Sequence, residues 1–123
     1  MLIDGEAGIE QFNRRVMKNV DHLIVVSDSS AKGLSVAHTI AHVTDKNRAV
    51  DFQSMGLVLN RVRSESEAND IRERTRLEVY GYLLEDYLIR EFDFKGQKLT
   101  QIPDTSPSLH AVRCILTRLG TNP

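Results

Sequence analysis

His22-Leu23-Ile24-Val25-Val26, followed at once by Ser27-Asp28-Ser29-Ser30, is the stretch that decides the fold. A short unbroken apolar run closed by a polar cluster is the pattern of a strand buried on both faces, as the strands of parallel sheets are. The pattern recurs downstream. Met55-Gly56-Leu57-Val58-Leu59 ends in Asn60-Arg61, and Val79-Tyr80-Gly81-Tyr82-Leu83-Leu84 ends in Glu85-Asp86. Upstream, the apolar start Met1-Leu2-Ile3 ends in Asp4, and the turn Gly5-Glu6-Ala7-Gly8 then opens a helical pattern. Parallel strands need crossover connections, usually helices, and helical patterns stand in the gaps. The resulting order, β-α-β-α-β-α-β-α, predicts an α/β fold: a mainly parallel sheet with flanking helices.

The helices are read from their apolar spacing. Over 9–19, Ile9, Phe12 and Val16 share a stripe, with Arg14, Arg15 and Lys18 opposite. Over 31–43, Gly33, Val36, Ala37, Ile40, Ala41 and Val43 form a broad face, with His38 and His42 across from it. The i, i+4 histidine pair could grip a transition metal, but no third ligand is evident, and a solvated polar face gives the same pattern. Residues 44–53 read as a polar connection. Ser64-x-x-Glu67 is a capping box that starts a helix over 65–76, polar almost all round, with only Ala68 and Ile71 to bury. A helix over 87–95 would bury Leu88, Ile89 and Phe92 and stop at Gly96. Ser106-Pro107 caps a last helix over 107–119, whose stripe is Leu109, Val112, Ile115, Leu116 and Leu119.

At 123 residues the chain is read as a single α/β domain over 1–123. Its composition, 41% apolar and 27% charged, is that of a globular protein. A net charge of −1 offers no broad footprint for nucleic acid or an acidic membrane. Cys114 is the sole cysteine, which excludes an internal disulfide and points to a reducing compartment. No apolar run reaches membrane-spanning length and the start lacks a signal peptide's apolar core, so a cytoplasmic location is expected.

Ligands of open α/β sheets bind at the carboxyl ends of the strands. Asp4 is expected there, and Gly8 would let backbone N–H groups approach an anion closely. An acid for a metal's water shell and an amide for a terminal phosphate suit a Mg-nucleotide. A strand, turn and helix carrying one solvated aspartate would look the same.

Asp4-Gly5-Glu6-Ala7-Gly8-Ile9-Glu10 resembles the Asp-x-Glu-Ala-Gly-Ile-Glu signature of the CooC-type accessory ATPases that mature carbon monoxide dehydrogenase. These are relatives of the nitrogenase iron protein and of MinD-like ATPases. The similarity runs on to the C-terminus but covers only the back half of such an ATPase. The family's phosphate-binding loop, rich in Gly and Lys, and its Cys-x-Cys pair are not in this sequence. The resemblance implies an incomplete P-loop NTPase fold of the Rossmann-like, three-layer type. It implies that Asp4 positions Mg²⁺ through water, Gly8 contacts the terminal phosphate of ATP, and the helix after Gly8 is a switch segment. Asn60 would recognise adenine, since an amide both donates to a ring nitrogen and accepts from the exocyclic amine. An asparagine closing a strand by turning back on its own backbone is the other reading. Asp86 falls where the family's loop packs along base and ribose, although the family's proline there is replaced by Leu84-Glu85-Asp86. MinD-like relatives hold membranes with a basic C-terminal helix; Arg113 and Arg118 alone are too little charge for that.

The expected function is therefore the C-terminal part of a nucleotide-dependent metallocentre-maturation ATPase, with Mg²⁺ and ATP as cofactors of the complete protein and a client metalloenzyme as its partner. This chain alone is not expected to hydrolyse ATP or to bind it tightly, because the loop's amides and lysine supply the electrostatic clamp. The alternative is a standalone, non-catalytic interaction module on the same fold. A generic α/β domain such as a flavodoxin-like receiver, with Asp4 and Asp28 as an acidic rim, ranks last for want of a lysine partner. In the family, the strand leading into the phosphate loop lies beside Leu23–Val26. Either residues 1–4 re-pair there or another copy covers the edge, and a homo-oligomer is expected.

Overall fold

A computed structural model describes residues 19–47 and 51–120. Among these residues three strands, β1 (Asn19–Ser27), β2 (Asp51–Val62) and β3 (Val79–Leu84), form a parallel sheet in the order β1-β2-β3. Four helices accompany them: α1 (Ala31–Asn47), α2 (Glu65–Arg74), α3 (Tyr87–Lys95) and α4 (Pro107–Arg118). A single 3₁₀ turn, Leu99–Gln101, lies between α3 and α4. The α/β class and parallel sheet expected from the sequence are thus present. The predicted strand at 1–4 and the predicted helix over 9–19 lie outside the described residues, except that Asn19, expected to end that helix, belongs to β1.

Alternation along the strands divides the core into two layers. Val25, Leu57, Leu59 and Val79 pack with Ala37 of α1 and with Ala68 and Ile71 of α2. On the opposite face Val58 and Tyr80 pack against Ile115 of α4. Helices therefore cover both faces, as parallel sheets require. α4 comes close because of Gly81: a Cβ there would stand 2.6 Å from the Ile115 side chain, well inside contact distance.

The strands are not regular. From Leu57↔Val79 to Val58↔Gly81, β3 advances two residues against one, so Tyr80 and Gly81 both turn toward α4. From Leu59↔Tyr82 to Val62↔Leu84, β2 carries one residue too many, within Asn60-Arg61. Such bulges re-aim side chains and concentrate next to functional sites. The second returns Val62, fully buried, to the face of Leu57 and Leu59. It also holds Arg61 at φ 55°, the one non-glycine residue in the left-handed region among those described.

Local boundary signals performed as expected. The Ser64 hydroxyl accepts from the Glu67 N–H, and Gly96, at φ 69°, ends α3; the cap that Asp86 provides at the start of α3 was not read from the sequence. Several expectations need correction, among them Val112, placed on the stripe of α4 but 39% exposed. Of the expected connection over 44–53, residues 44–47 continue α1 and residues 51–53 belong to β2, because pairing from Asn19↔Asp51 onward extends that strand beyond its apolar run. Val36 is 48% exposed and Leu34 packs inward instead, since Val36 lies about 100° round the helix from Ala37. No residue of α3 is fully buried; Leu88, Ile89 and Phe92 are half-covered.

Candidate functional site at the carboxyl rim

The carboxyl ends of the three strands gather Ser27 to Ser30, Asn60 to Arg63, and Glu85-Asp86 along one rim of the sheet. Around β1 the polar loop folds on itself. Asp28 Oδ1 accepts from the Ser30 N–H at 3.0 Å and from the Ser30 hydroxyl, whose oxygen in turn accepts from the Gly33 N–H at 3.0 Å. Gly33 is required here, because a Cβ would overlap Asp28 Oδ1 and Ser27 Oγ. The Ser30 hydrogen bonds hold the Asp28 carboxyl below its usual range, with a smaller contribution from the Arg61 guanidinium and against a desolvation that opposes it.

Arg61, on the bulge of β2, thus adds positive charge to the surroundings of the loop after β1. A hydrogen-bonded link joins the same two loops. The Ser29 hydroxyl donates to Glu67, which also accepts from the Arg63 N–H at 3.0 Å, and these bonds keep the Glu67 carboxyl ionised to lower pH than usual. Asn60 is half-buried at this junction, and its Oδ1 accepts from the Arg61 N–H at 3.0 Å. That bond uses one of the two lone pairs of the amide oxygen.

At the end of β3, Asp86 is committed to the chain's own backbone and hydroxyls. Oδ1 accepts from the Leu88 N–H at 2.9 Å, and Oδ2 from the Ser106 hydroxyl at 2.6 Å and the Ser108 N–H at 3.1 Å. One carboxylate therefore closes the first turns of both α3 and α4, two helix N-termini whose partial positive charge favours it. Desolvation pushes its pKa up, but the bonds from Ser106, Ser108 and Leu88 outweigh that and hold it below the usual value. Asn60 and Asp86 end neighbouring strands, while the Asp86 carboxylate is turned to α3 and α4. Asp4 and Gly8, and with them the expected Mg²⁺ position, lie outside the described residues.

Two further polar groupings were not read from the sequence. Tyr80, 5% exposed, donates its hydroxyl to Ser54 Oγ at 2.7 Å, and Ser54 Oγ lies 2.6 Å from His22 Nδ1. The pairing His22↔Ser54 sets this chain in the sheet, at the end away from the rim. The Ser106 and Ser108 contacts to Asp86 span some twenty residues; the sequence signals the start of α4 but not the acid that serves both helices. His38 does not point into a metal site: Nδ1 contacts the Leu34 carbonyl at 2.8 Å and Nε2 the Thr75 hydroxyl at 2.9 Å, tying α1 to the end of α2. Among the described residues no three His, Cys, Asp or Glu side chains group to hold a metal ion. Nor is any described helix long and apolar enough to cross a membrane.

No protein-family model matches the chain. Over 108 residues, 86% of its length, it is 33% identical to a protein of Methanocaldococcus jannaschii named "Uncharacterized ATP-binding protein MJ0685". Over 102 residues, 80% of its length, it is 28% identical to a second from the same organism, "Uncharacterized ATP-binding protein MJ0823". The chain spans 42% and 38% of the length of these two relatives. What it is similar to, then, is part of two proteins that carry ATP-binding in their names, on a parallel α/β sheet whose carboxyl rim holds Asn60 at a bulge.

Proposed function

We propose that this chain is the base-recognising portion of an ATP-dependent protein of the P-loop type, working in metallocentre maturation as the CooC-type ATPases do. The observation that carries the proposal is Asn60. It sits on a bulge at the carboxyl rim, where ligands of open α/β sheets bind, in a chain similar to two ATP-binding proteins. An amide there fits adenine, whose edge offers one acceptor nitrogen and one amine. Asn60 Oδ1 would accept from the exocyclic amine with its second lone pair, and the amide N–H would donate to the ring nitrogen. Asp86 would support the loop along the base by fixing the starts of α3 and α4. By the same resemblance, Asp4 would hold Mg²⁺ through water and the Gly8 amide would meet the terminal phosphate. The metal's part is to neutralise charge on the phosphates.

The test is nucleotide titration of the full-length protein carrying this chain. Asn60→Ala should weaken ATP binding by about 1–3 kcal/mol, roughly five- to 150-fold, and narrow the preference for ATP over GTP. Hydrolysis per bound nucleotide should change less, since the base is remote from the reacting phosphate. Unchanged affinity for both nucleotides would reduce Asn60 to a residue that closes its own turn. For the 123-residue chain by itself, Mg-ATP binding should be weak; a low-micromolar dissociation constant would contradict the proposal.

A further inference from the structure

Ser64-x-x-Glu67 does more than a capping box needs. Its first half is ordinary: the Ser64 hydroxyl accepts from the Glu67 N–H at 3.1 Å. In the reciprocal half of such a box, the acid returns to the backbone N–H of the cap residue itself. Here Glu67 Oε2 reaches one residue further back and accepts from the Arg63 N–H at 3.0 Å. The same carboxylate takes the Ser29 hydroxyl from the loop after β1. An acid placed by the sequence to start α2 is thus drawn out to the carboxyl rim, next to the turn that carries Asn60. Its place in the first helical turn favours its charge.

The last pair between β1 and β2 is Ser27↔Leu59, so Asp28 and Asn60 leave the sheet side by side. The two segments are held differently. The Asn60 turn is anchored from below: Val62 is fully buried and its carbonyl accepts from the Glu85 N–H at 2.9 Å. Asp28 and Ser30 close the β1 loop on itself, and Ser29 ties it to α2. Glu67 therefore joins a fixed turn to a neighbouring loop. We infer that Glu67 is a positioning residue of the nucleotide site: it locks the loop after β1 against the Asn60 turn, so that a base seated on Asn60 meets a fixed wall on the β1 side. This rests on the reading of Asn60 as the residue that recognises the base. With its carboxylate turned to Ser29 and the Arg63 N–H, Glu67 acts through the loop and not by touching the base. The consequence is discrimination more than affinity. A hydrogen-bonding site rejects the wrong base because polar groups are left unpaired, and a base free to slide along a loose wall escapes that penalty.

Nucleotide titration of the full-length protein carrying this chain, read as the ratio of the GTP to the ATP dissociation constant, tests this. Glu67→Ala should lower that ratio about threefold or more, as expected for coupled neighbours, and Glu67→Gln, which keeps an acceptor oxygen, should retain most of it. Ser29→Ala should lower the ratio too, and adding it to Glu67→Ala should lower it no further, because the bond it removes is already gone. Ser29 lies outside α2, so its variant reads the link without disturbing the helix. Ser64→Ala is the control for stability: it removes the cap of α2, lowers the melting temperature and leaves the ratio unchanged. A ratio unmoved by Glu67→Ala or by Ser29→Ala, in a protein where Asn60→Ala collapses it, would overturn the inference and leave the reading of Asn60 standing. A ratio that falls as far in Ser64→Ala as in Glu67→Ala would overturn it as well, since the stability of α2 alone would explain the loss. If Asn60→Ala itself leaves the ratio unchanged, base recognition fails there and the role of Glu67 falls with it.

Discussion

Replacing Asp86 with alanine should uncap two helices at once. The carboxylate accepts from the Leu88 N–H, the Ser106 hydroxyl and the Ser108 N–H. Losing the cap of α3 costs about 1 kcal/mol. At α4, Ser106 is fully buried and Ser108 is 4% exposed, so water cannot readily replace the lost acceptor. Leaving those donors short of an ionised partner costs about 1–3 kcal/mol more. The sum is about 2–4 kcal/mol, and with a urea m-value of about 1.5–2 kcal/mol/M the midpoint should fall by about 1–2.5 M. Asp86→Asn, which keeps an acceptor oxygen but no charge, should lose roughly half as much. The pH dependence follows from a folded-state pKa held below the usual 3.8. Stabilisation by a group depressed in this way is complete above its unfolded value and disappears as pH falls through the folded one. Wild-type and Asp86→Ala stabilities should thus differ fully at neutral pH and draw together below about pH 4. Urea titrations at pH 7, 5 and 3 would show this. An alanine variant within about 0.3 M of wild type at pH 7, or a gap that persists unchanged to pH 3, would refute the double-cap reasoning.

Two further outcomes follow from side-chain geometry. Gly33→Ala, which improves helix propensity by about 1 kcal/mol, should nevertheless destabilise by about 1–2 kcal/mol net, because the new methyl displaces Asp28 from its Ser30 bonds; a higher melting temperature would contradict this. Ser54→Ala should cost about 1–3 kcal/mol by leaving the buried Tyr80 hydroxyl without its acceptor, and Tyr80→Phe added to it should cost little more. A double-mutant cycle with no coupling between Ser54 and Tyr80 would count against that hydrogen bond.

What the sequence made legible was whatever is decided within one or two turns of chain. Gly96 ends α3, and the burial of Ala68 and Ile71 on a polar helix was readable from spacing. Residues 79–84 form β3 as their apolar run implies. What was not legible is decided by partners far along the chain. β2 reaches back to Asp51 only because β1 is there to pair with it from Asn19 onward. It also continues through Asn60-Arg61, which looked like a strand end, because Val62 re-enters the ladder opposite Leu84. The acid that serves the Ser106 cap is some twenty residues away, and the hydroxyl between His22 and Tyr80 comes from a third segment.

Asn60 shows how these two levels combine. From sequence, its amide could either turn back on its own backbone or read a base, and the two looked like rivals. At the bulge the two are compatible, since the backbone bond leaves the rest of the amide open. With Arg61 in a left-handed conformation, its N–H turns to Asn60 Oδ1 at 3.0 Å, which fixes the plane of the amide at the rim. A side chain already fixed by one hydrogen bond loses less rotamer freedom when it binds a ligand with the rest. Arg61→Gly would keep that backbone conformation without strain, whereas Arg61→Val, β-branched and poorly suited to positive φ, would oppose it. Any adenine preference should therefore survive Arg61→Gly and weaken in Arg61→Val, although neither substitution touches Asn60. Nucleotide titrations giving equal ATP-to-GTP ratios for the two variants would mean that the bulge does not orient the amide.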